Sequence, residues 1–261
     1  MAHSWDPTTY LAFGDERARP FFDLVARIGA EAPERVVDLG CGPGTLTATL
    51  RERWPSSEVR GVDASAEMVA AAERLADERL SFEVADLCEF RPRVPVDVLV
   101  SNATLHWVPH QGAALEPFLA SLLRSLAPGG WLAFQVPGNF GAPVHTLLRA
   151  LASDPRFADH TTGLTWPGSA EPDEYLAALL GLGCRVQVWE TTYLHVLGGP
   201  DPVLRWISGA GARPVLQALP DLPRAEFEAE YAEALREAYP ARPFGTVLPF
   251  RRIFAVAQTP R

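Results

Sequence analysis

Val36-Val37-Asp38-Leu39-Gly40-Cys41-Gly42-Pro43-Gly44 decides the fold. Two β-branched residues, which favour a strand, lead into an acid, and glycine then returns at every second position. Glycine reaches φ > 0 without strain and has no Cβ to hold a ligand off, so the strand ends in a tight turn whose backbone can approach a bound group. Beyond the turn, Leu46 and Leu50 recur at helical spacing within Thr45 to Arg53. Strand, glycine loop and helix in this order open a nucleotide-binding α/β unit.

Two details choose among nucleotides. A dinucleotide fingerprint needs G-x-G-x-x-G, and counting from Gly40 the third glycine position holds Thr45. An acid, Asp38, also precedes the first glycine by two residues. Aimed at a pyrophosphate its carboxylate would repel; aimed at the ammonium of an amino-acid moiety it attracts. S-adenosylmethionine carries an ammonium and a sulfonium and no phosphate. The order acid-x-Gly-x-Gly-x-Gly resembles motif I of the class I methyltransferases that use it, and an NAD(P) reductase is disfavoured.

Outward from this turn the chain alternates strand and helix. A helix over about Glu16–Gly29 sets Phe21, Phe22, Val25 and Ile28 on one face. Strands are expected at Arg35–Leu39, Val59–Asp63, Leu80–Asp86, Val96–Ser101 and Trp131–Val136. Helices follow Gly44 and Ser65 (an N-cap), and a third over Ala114–Leu126 stops at Pro128-Gly129-Gly130. Further on come one short helix near Val144–Leu151, a helix at Asp173–Leu182, a long strand Arg185–Val196, helical sequence over 201–240 and a final strand Pro249–Gln258. The expected class is α/β: a doubly wound, mostly parallel seven-stranded sheet, Rossmann-like. One methyltransferase domain would span 1–261, with an N-terminal arm and helix over 1–30 and helical cap insertions at 137–170 and 201–245.

Hydrophobic residues make up 48% of the 261, ample for a packed core, and the net charge of −9 argues against nucleic acid or an anionic membrane as partner. All 23 basic residues are Arg, so an anion site must be built from Arg, His or backbone N–H. Cys41, Cys88 and Cys184 show neither a disulfide framework nor zinc spacing, and no metal is expected. Without an apolar leader or a run of 18 apolar residues, the expected location is the cytoplasm, as a monomer.

Ligands in such sheets lie beyond the carboxyl ends of the strands, where Asp38, Asp63, Asp86 and Asn102 fall, one after each of the first four strands. Asp63, 19 residues past Gly44 and followed by Ala64, suits the two hydroxyls of an adenosine ribose; it equally suits a helix cap. Met68 could cover an adenine face or pack in the core. The Asp86 carboxylate and the Leu87 N–H match the adenine edge, and Asn102 lies under the methionine part. The candidate cofactor set is therefore Asp38, Gly40, Cys41, Gly42, Gly44, Asp63, Ala64, Met68, Asp86, Leu87 and Asn102.

The resemblance then narrows. Trp5-Asp6-Pro7, Tyr10-Leu11, Arg17, Arg19-Pro20, Asn102-Ala103-Thr104-Leu105-His106-Trp107, Thr191-Thr192-Tyr193 with His195, Arg213-Pro214 and Arg252-Ile253-Phe254 resemble the trans-aconitate 2-methyltransferase family over essentially the whole chain. That resemblance implies transfer of a methyl group from S-adenosylmethionine to one carboxylate of a tricarboxylic acid, leaving S-adenosylhomocysteine. A carboxylate is already a nucleophile at neutral pH and needs no general base, so no catalytic residue is assigned; His106 is weighed as a contact to the methionine part or the substrate. Bidentate Arg forks suit a polyanion.

In this fold the last strand runs antiparallel, so Arg251 and Arg252 at its start, and Tyr193 and His195 at the end of the strand before, point to the cofactor edge. Neighbours on a strand face opposite sides, so one arginine enters the pocket, and the resemblance favours Arg252. The candidate substrate set is Arg252, Arg213, Tyr193, His195, His106 and Tyr10. Gln135 is a polar intruder in an apolar strand. The competing functions are methylation of another small molecule or of a carrier-bound acyl carboxylate, and a non-catalytic S-adenosylmethionine-binding regulator.

Overall fold

The computed structural model describes residues 14–108 and 114–261. The elements in chain order are α1 (Gly14–Val25), β1 (Arg35–Leu39), α2 (Thr45–Arg53), β2 (Glu58–Asp63), α3 (Ala66–Ala72), β3 (Leu80–Val84), β4 (Val96–Asn102), α4 (Leu115–Leu123), β5 (Leu126–Pro137), α5 (Pro143–Ala152), α6 (Pro155–Thr161), α7 (Pro172–Gly181), β6 (Arg185–Leu197), α8 (Pro202–Ser208), α9 (Arg213–Ala218), α10 (Asp221–Ala238) and β7 (Thr246–Gln258). The strands form one seven-stranded sheet in the order β3-β2-β1-β4-β5-β7-β6. β1 to β5 pair in parallel, and β7 enters antiparallel between β5 and β6. The expected seven-stranded, mostly parallel sheet is what forms, and its central strands β1 and β4 are almost wholly buried, as strands covered on both faces must be.

Two cores flank the sheet. On one face α4 and α7 bring Leu115, Leu119, Leu122, Tyr175 and Leu179 onto Leu39, Leu99 and Phe134. On the other, α1, α2 and α3 bring Phe21, Leu24, Leu50, Val69 and Ala72 onto Val36, Val98 and Val100. Burying each such side chain contributes about 1.5–3 kcal/mol. The buried stripe of α1 and the turn after it is Phe21, Leu24, Val25 and Ile28, while Phe22 is 49% exposed; the sequence reading placed Phe22 inward and omitted Leu24. The spacing i, i+3, i+4, i+7 explains the outcome, because an adjacent residue lies about 100° round the helix. Ser65 caps α3 as expected, its hydroxyl accepting from the Met68 N–H at 3.2 Å.

A third core lies beyond the sheet edge. Val144 and Leu148 of α5, Phe157 of α6, Trp206 and Ile207 of α8, Val215 of α9 and Phe227, Tyr231 and Leu235 of α10 pack together with Leu197, Leu248 and Phe250 from the ends of β6 and β7. Those two strands run to 13 residues each, so they carry the helical layer on their overhang. Region 137–170 holds two helices, α5 and α6, where the sequence reading expected one. α6 is short and opened by Asp154, whose carboxylate accepts from the Arg156 N–H, with Pro155 as its first residue. Pro and Gly on either side hid it.

Candidate active site

The glycine loop is built around Asp38. Its side chain is 2% exposed, and the Thr47 hydroxyl of α2 donates to one carboxylate oxygen at 2.6 Å. The other oxygen, Oδ1, is buried with no hydrogen-bond partner among the described residues. Burial lifts the Asp38 pKa from 3.8 to about 7, the Thr47 bond opposes the rise and the nearby Asp63 charge adds to it. Gly40 has φ 79°, and a Cβ there would lie 2.1 Å from the Thr104 hydroxyl, so the loop can fold only with glycine at that point. Gly42, at φ 55°, differs: nothing stands within 4 Å of where its Cβ would be. It leaves an open cradle floored by backbone. An unpartnered carboxylate oxygen beside an open glycine turn fits a ligand that brings a cation.

The neighbours complete the edge. Asp63 ends β2; its Oδ2 accepts from the Gly42 N–H and its Oδ1 from the Ser65 N–H, both at 2.9 Å. It thus braces the loop, and each oxygen keeps a further lone pair. Ala64 is exposed, Cys41 is 7% exposed and Met68 4%. Burial first, then the Asp38 and Asp63 charges, push the Cys41 thiol far above its ordinary value, so it stays protonated and inert. One strand over, Asp86 is exposed and caps its own turn by accepting from the Cys88 N–H at 2.8 Å, with Leu87 half-buried beside it. Asn102 ends β4, and its side-chain oxygen accepts from the Gln135 amide at 2.7 Å, which gives that polar intruder in β5 a role. Ala103 follows at φ 53°.

Next to Asn102 and Ala103 opens a cavity of about 80 Å³ between the sheet edge and the helical layer. Its polar lining is Asn102, His106, His145 and Arg252; Phe140, Trp206 and Phe250 are among its apolar walls. Arg252 is 6% exposed, with its guanidinium carbon 4.3 Å from the Phe250 ring centre. Arg251 points the other way, to Glu171 at 2.7 Å and Glu190 at 2.5 Å, as alternation along a strand requires. His106 is 7% exposed and its ring lies 5.1 Å from Trp107 and 6.0 Å from Phe140.

The other sequence-selected residues lie elsewhere. The Tyr193 hydroxyl donates to Asp23 of α1 at 2.5 Å, and Tyr193 belongs to the α1–α3 core rather than to the cavity lining. Burial and the Asp23 carboxylate push its pKa up. His195, 4% exposed, stacks 4.5 Å from the Trp206 ring and sits behind that wall. Arg213 is half-buried at the start of α9, two residues beyond Gly211, and is not among the residues that line the cavity. Tyr10 and the arm around it lie outside the described residues. The sequence reading missed His145, Phe140, Trp206 and Gly211. His145 alone carried a signal, as a polar residue on the buried stripe of α5 with Val144, Leu148 and Ala152.

Among the described residues no group of three His, Cys, Asp or Glu could hold a metal, and no helix is long and apolar enough to cross a membrane.

A family model described as a methyltransferase domain matches residues 36–130, the segment from β1 through the turn that opens β5. The solved YcgJ protein of Bacillus subtilis superposes with a TM-score of 0.58 at 16% identity, over 93% of this chain and 99% of that one. The strand order, glycine loop and edge carboxylates define a Rossmann-like class I methyltransferase. A trans-aconitate 2-methyltransferase of Streptomyces avermitilis is 51% identical over 97% of this chain and 96% of its own length. One of Mycobacterium tuberculosis is 45% identical over 97% and 96%. The chain belongs to the trans-aconitate 2-methyltransferase family.

Proposed function

We propose that the protein methylates one carboxylate of trans-aconitate, with S-adenosylmethionine as donor and S-adenosylhomocysteine as product. The observation that carries this reading is Arg252, a buried guanidinium on the wall of an otherwise mostly apolar cavity that meets the glycine-loop edge at Asn102. A buried cation beside apolar walls suits a small carboxylic acid, and relatives named for trans-aconitate cover nearly the whole chain.

S-adenosylmethionine supplies an activated methyl group. When it is bound, Asp38 would offer its unpartnered oxygen to the ammonium, Asp63 its remaining lone pairs to the ribose hydroxyls, Asp86 and Leu87 would meet the adenine edge, and Gly40, Cys41, Gly42 and Gly44 would supply the backbone turn. Arg252 holds a substrate carboxylate in a fixed direction, and alignment of this kind is worth roughly 7–11 kcal/mol of barrier. Trp206, Phe140 and Phe250 keep water from a reaction in which an anion loses its charge. No proton is removed, so no side chain need act as a base.

The test is incubation with methyl-labelled S-adenosylmethionine and a panel of di- and tricarboxylic acids, with mass analysis of the esters. A monomethyl ester of trans-aconitate as the dominant product is expected. Turnover of other acids alone would replace the substrate, and binding of S-adenosylhomocysteine with no turnover at all would favour a regulator.

A further inference from the structure

His145 is the third residue of α5 and the one polar member of its buried stripe. It lines the cavity and is 6% exposed, yet its Nε2 is buried with no hydrogen-bond partner among the described residues. Such an atom is costly to leave unsatisfied, and the surroundings hold the ring where it is. The Phe140 ring lies 5.1 Å away at 52°. Arg149 of the same helix donates to the Phe140 carbonyl at 2.6 Å and braces that wall. The Val144 N–H donates to the Tyr239 hydroxyl at 3.1 Å, and the Val144 carbonyl accepts from the Tyr231 hydroxyl. Opposite, a Cβ on Gly211 would come within 3.1 Å of His145 Cε1 and 2.9 Å of Ile207 Cδ1, so glycine makes room for the imidazole.

We infer that His145 is a specificity-determining residue: its imidazole N–H donates to a substrate carboxylate other than the one Arg252 holds, so the cavity reads a polycarboxylate at two points. This rests on the carboxylic-acid reading above. A carboxylate is purely an acceptor, and a neutral imidazole with its proton on Nε2 presents its one N–H at the unpartnered atom. Burial first, then the Arg149 charge, hold the His145 pKa down at about 4, so the ring is neutral at pH 7 and adds a directed donor to a mostly apolar wall. A hydrogen bond to an ionised partner discriminates strongly against a ligand that lacks it.

The experiment compares wild type, His145→Phe, His145→Gln and Gly211→Ala as full-length proteins. Binding of trans-aconitate, and of diacids each lacking one of its carboxylates, is measured by calorimetry with S-adenosylhomocysteine present; KM and kcat follow. In His145→Phe, trans-aconitate should bind about 10- to 100-fold more weakly with kcat near normal and S-adenosylhomocysteine affinity unchanged. His145→Gln should recover part of the loss. The triacid's advantage over one of the diacids should shrink by the same factor. If His145→Phe no longer binds S-adenosylhomocysteine, Gly211→Ala, whose added methyl presses on Ile207 and on the imidazole, is held to the same comparison. An unchanged preference against every diacid, or an equal loss for all acids, overturns the inference while the proposed function stands. A wild type that binds no polycarboxylate removes both.

Discussion

Asp38 is a carboxylate whose own charge is disfavoured by its burial. In the unfolded chain it ionises near 3.8; folded, it keeps its proton to about 7. The folded state therefore binds the extra proton, and this contribution to stability is complete below pH 3.8 and is lost as pH rises to about 7. A cofactor ammonium needs the opposite form, the carboxylate. S-adenosylhomocysteine should therefore bind about tenfold more weakly at pH 6 than at pH 8, and Asp38→Asn should flatten that slope while weakening binding by about 1.5–3 kcal/mol. Calorimetry across that range decides; a wild type with no slope refutes the assignment. Arg252→Ala should lower kcat/KM for trans-aconitate by roughly 100-fold, given about 1.5–3 kcal/mol per charge-assisted bond, and leave cofactor affinity alone. Near-normal kcat/KM would move the anion pocket elsewhere. Tyr193→Phe, which breaks the bond to Asp23, should instead lower stability and spare kcat/KM. Asp38 and the glycines were legible because a turn's needs are local. Alternation along β7 said that only one of Arg251 and Arg252 enters the pocket and the resemblance chose Arg252, but no pattern in β6 says that a helix 170 positions away captures the Tyr193 hydroxyl.

The α5–α10 pair shows how an element places a site residue. Two tyrosines of the α10 segment take both backbone groups of Val144, and the next residue is His145. Tyr231→Phe leaves the buried Val144 carbonyl short of a donor, at a cost of about 1–3 kcal/mol. Thermal unfolding should fall by several degrees, and KM for the acid should rise with kcat and S-adenosylhomocysteine affinity little changed. A KM equal to wild type would mean that α5 is positioned by packing alone. The strands were readable to within about two residues at most ends, because alternation and buried runs mark them directly. β7 begins at Thr246, three residues before the expected start, since its overhang packs on the helical layer rather than on the sheet. α6 escaped because seven residues barely complete two turns of any period.

For the whole molecule, chemistry without a base makes kcat at saturating substrate flat from about pH 6 to 9, since carboxylic acids ionise near pH 4. A rise through pH 7 that His106→Ala abolishes would mean that the nucleophile must lose a proton, and the carboxylate reading would fall. Net charge, −9, said little about the proposed site: one buried arginine suffices to attract a polyanion, and burial is a property of the fold. The cavity also joins two bodies of packing, with Asn102, Pro137 and Arg252 on the sheet side and His145, Trp206 and Gly211 on the helical side. Whatever fills it acts as a staple between two cooperative units. Amide hydrogen exchange should then show α5, α8 and α10 opening at lower free energy than β1 and β4 in the ligand-free protein. The acid would close that gap, slowing exchange across the helical layer far from any atom it touches.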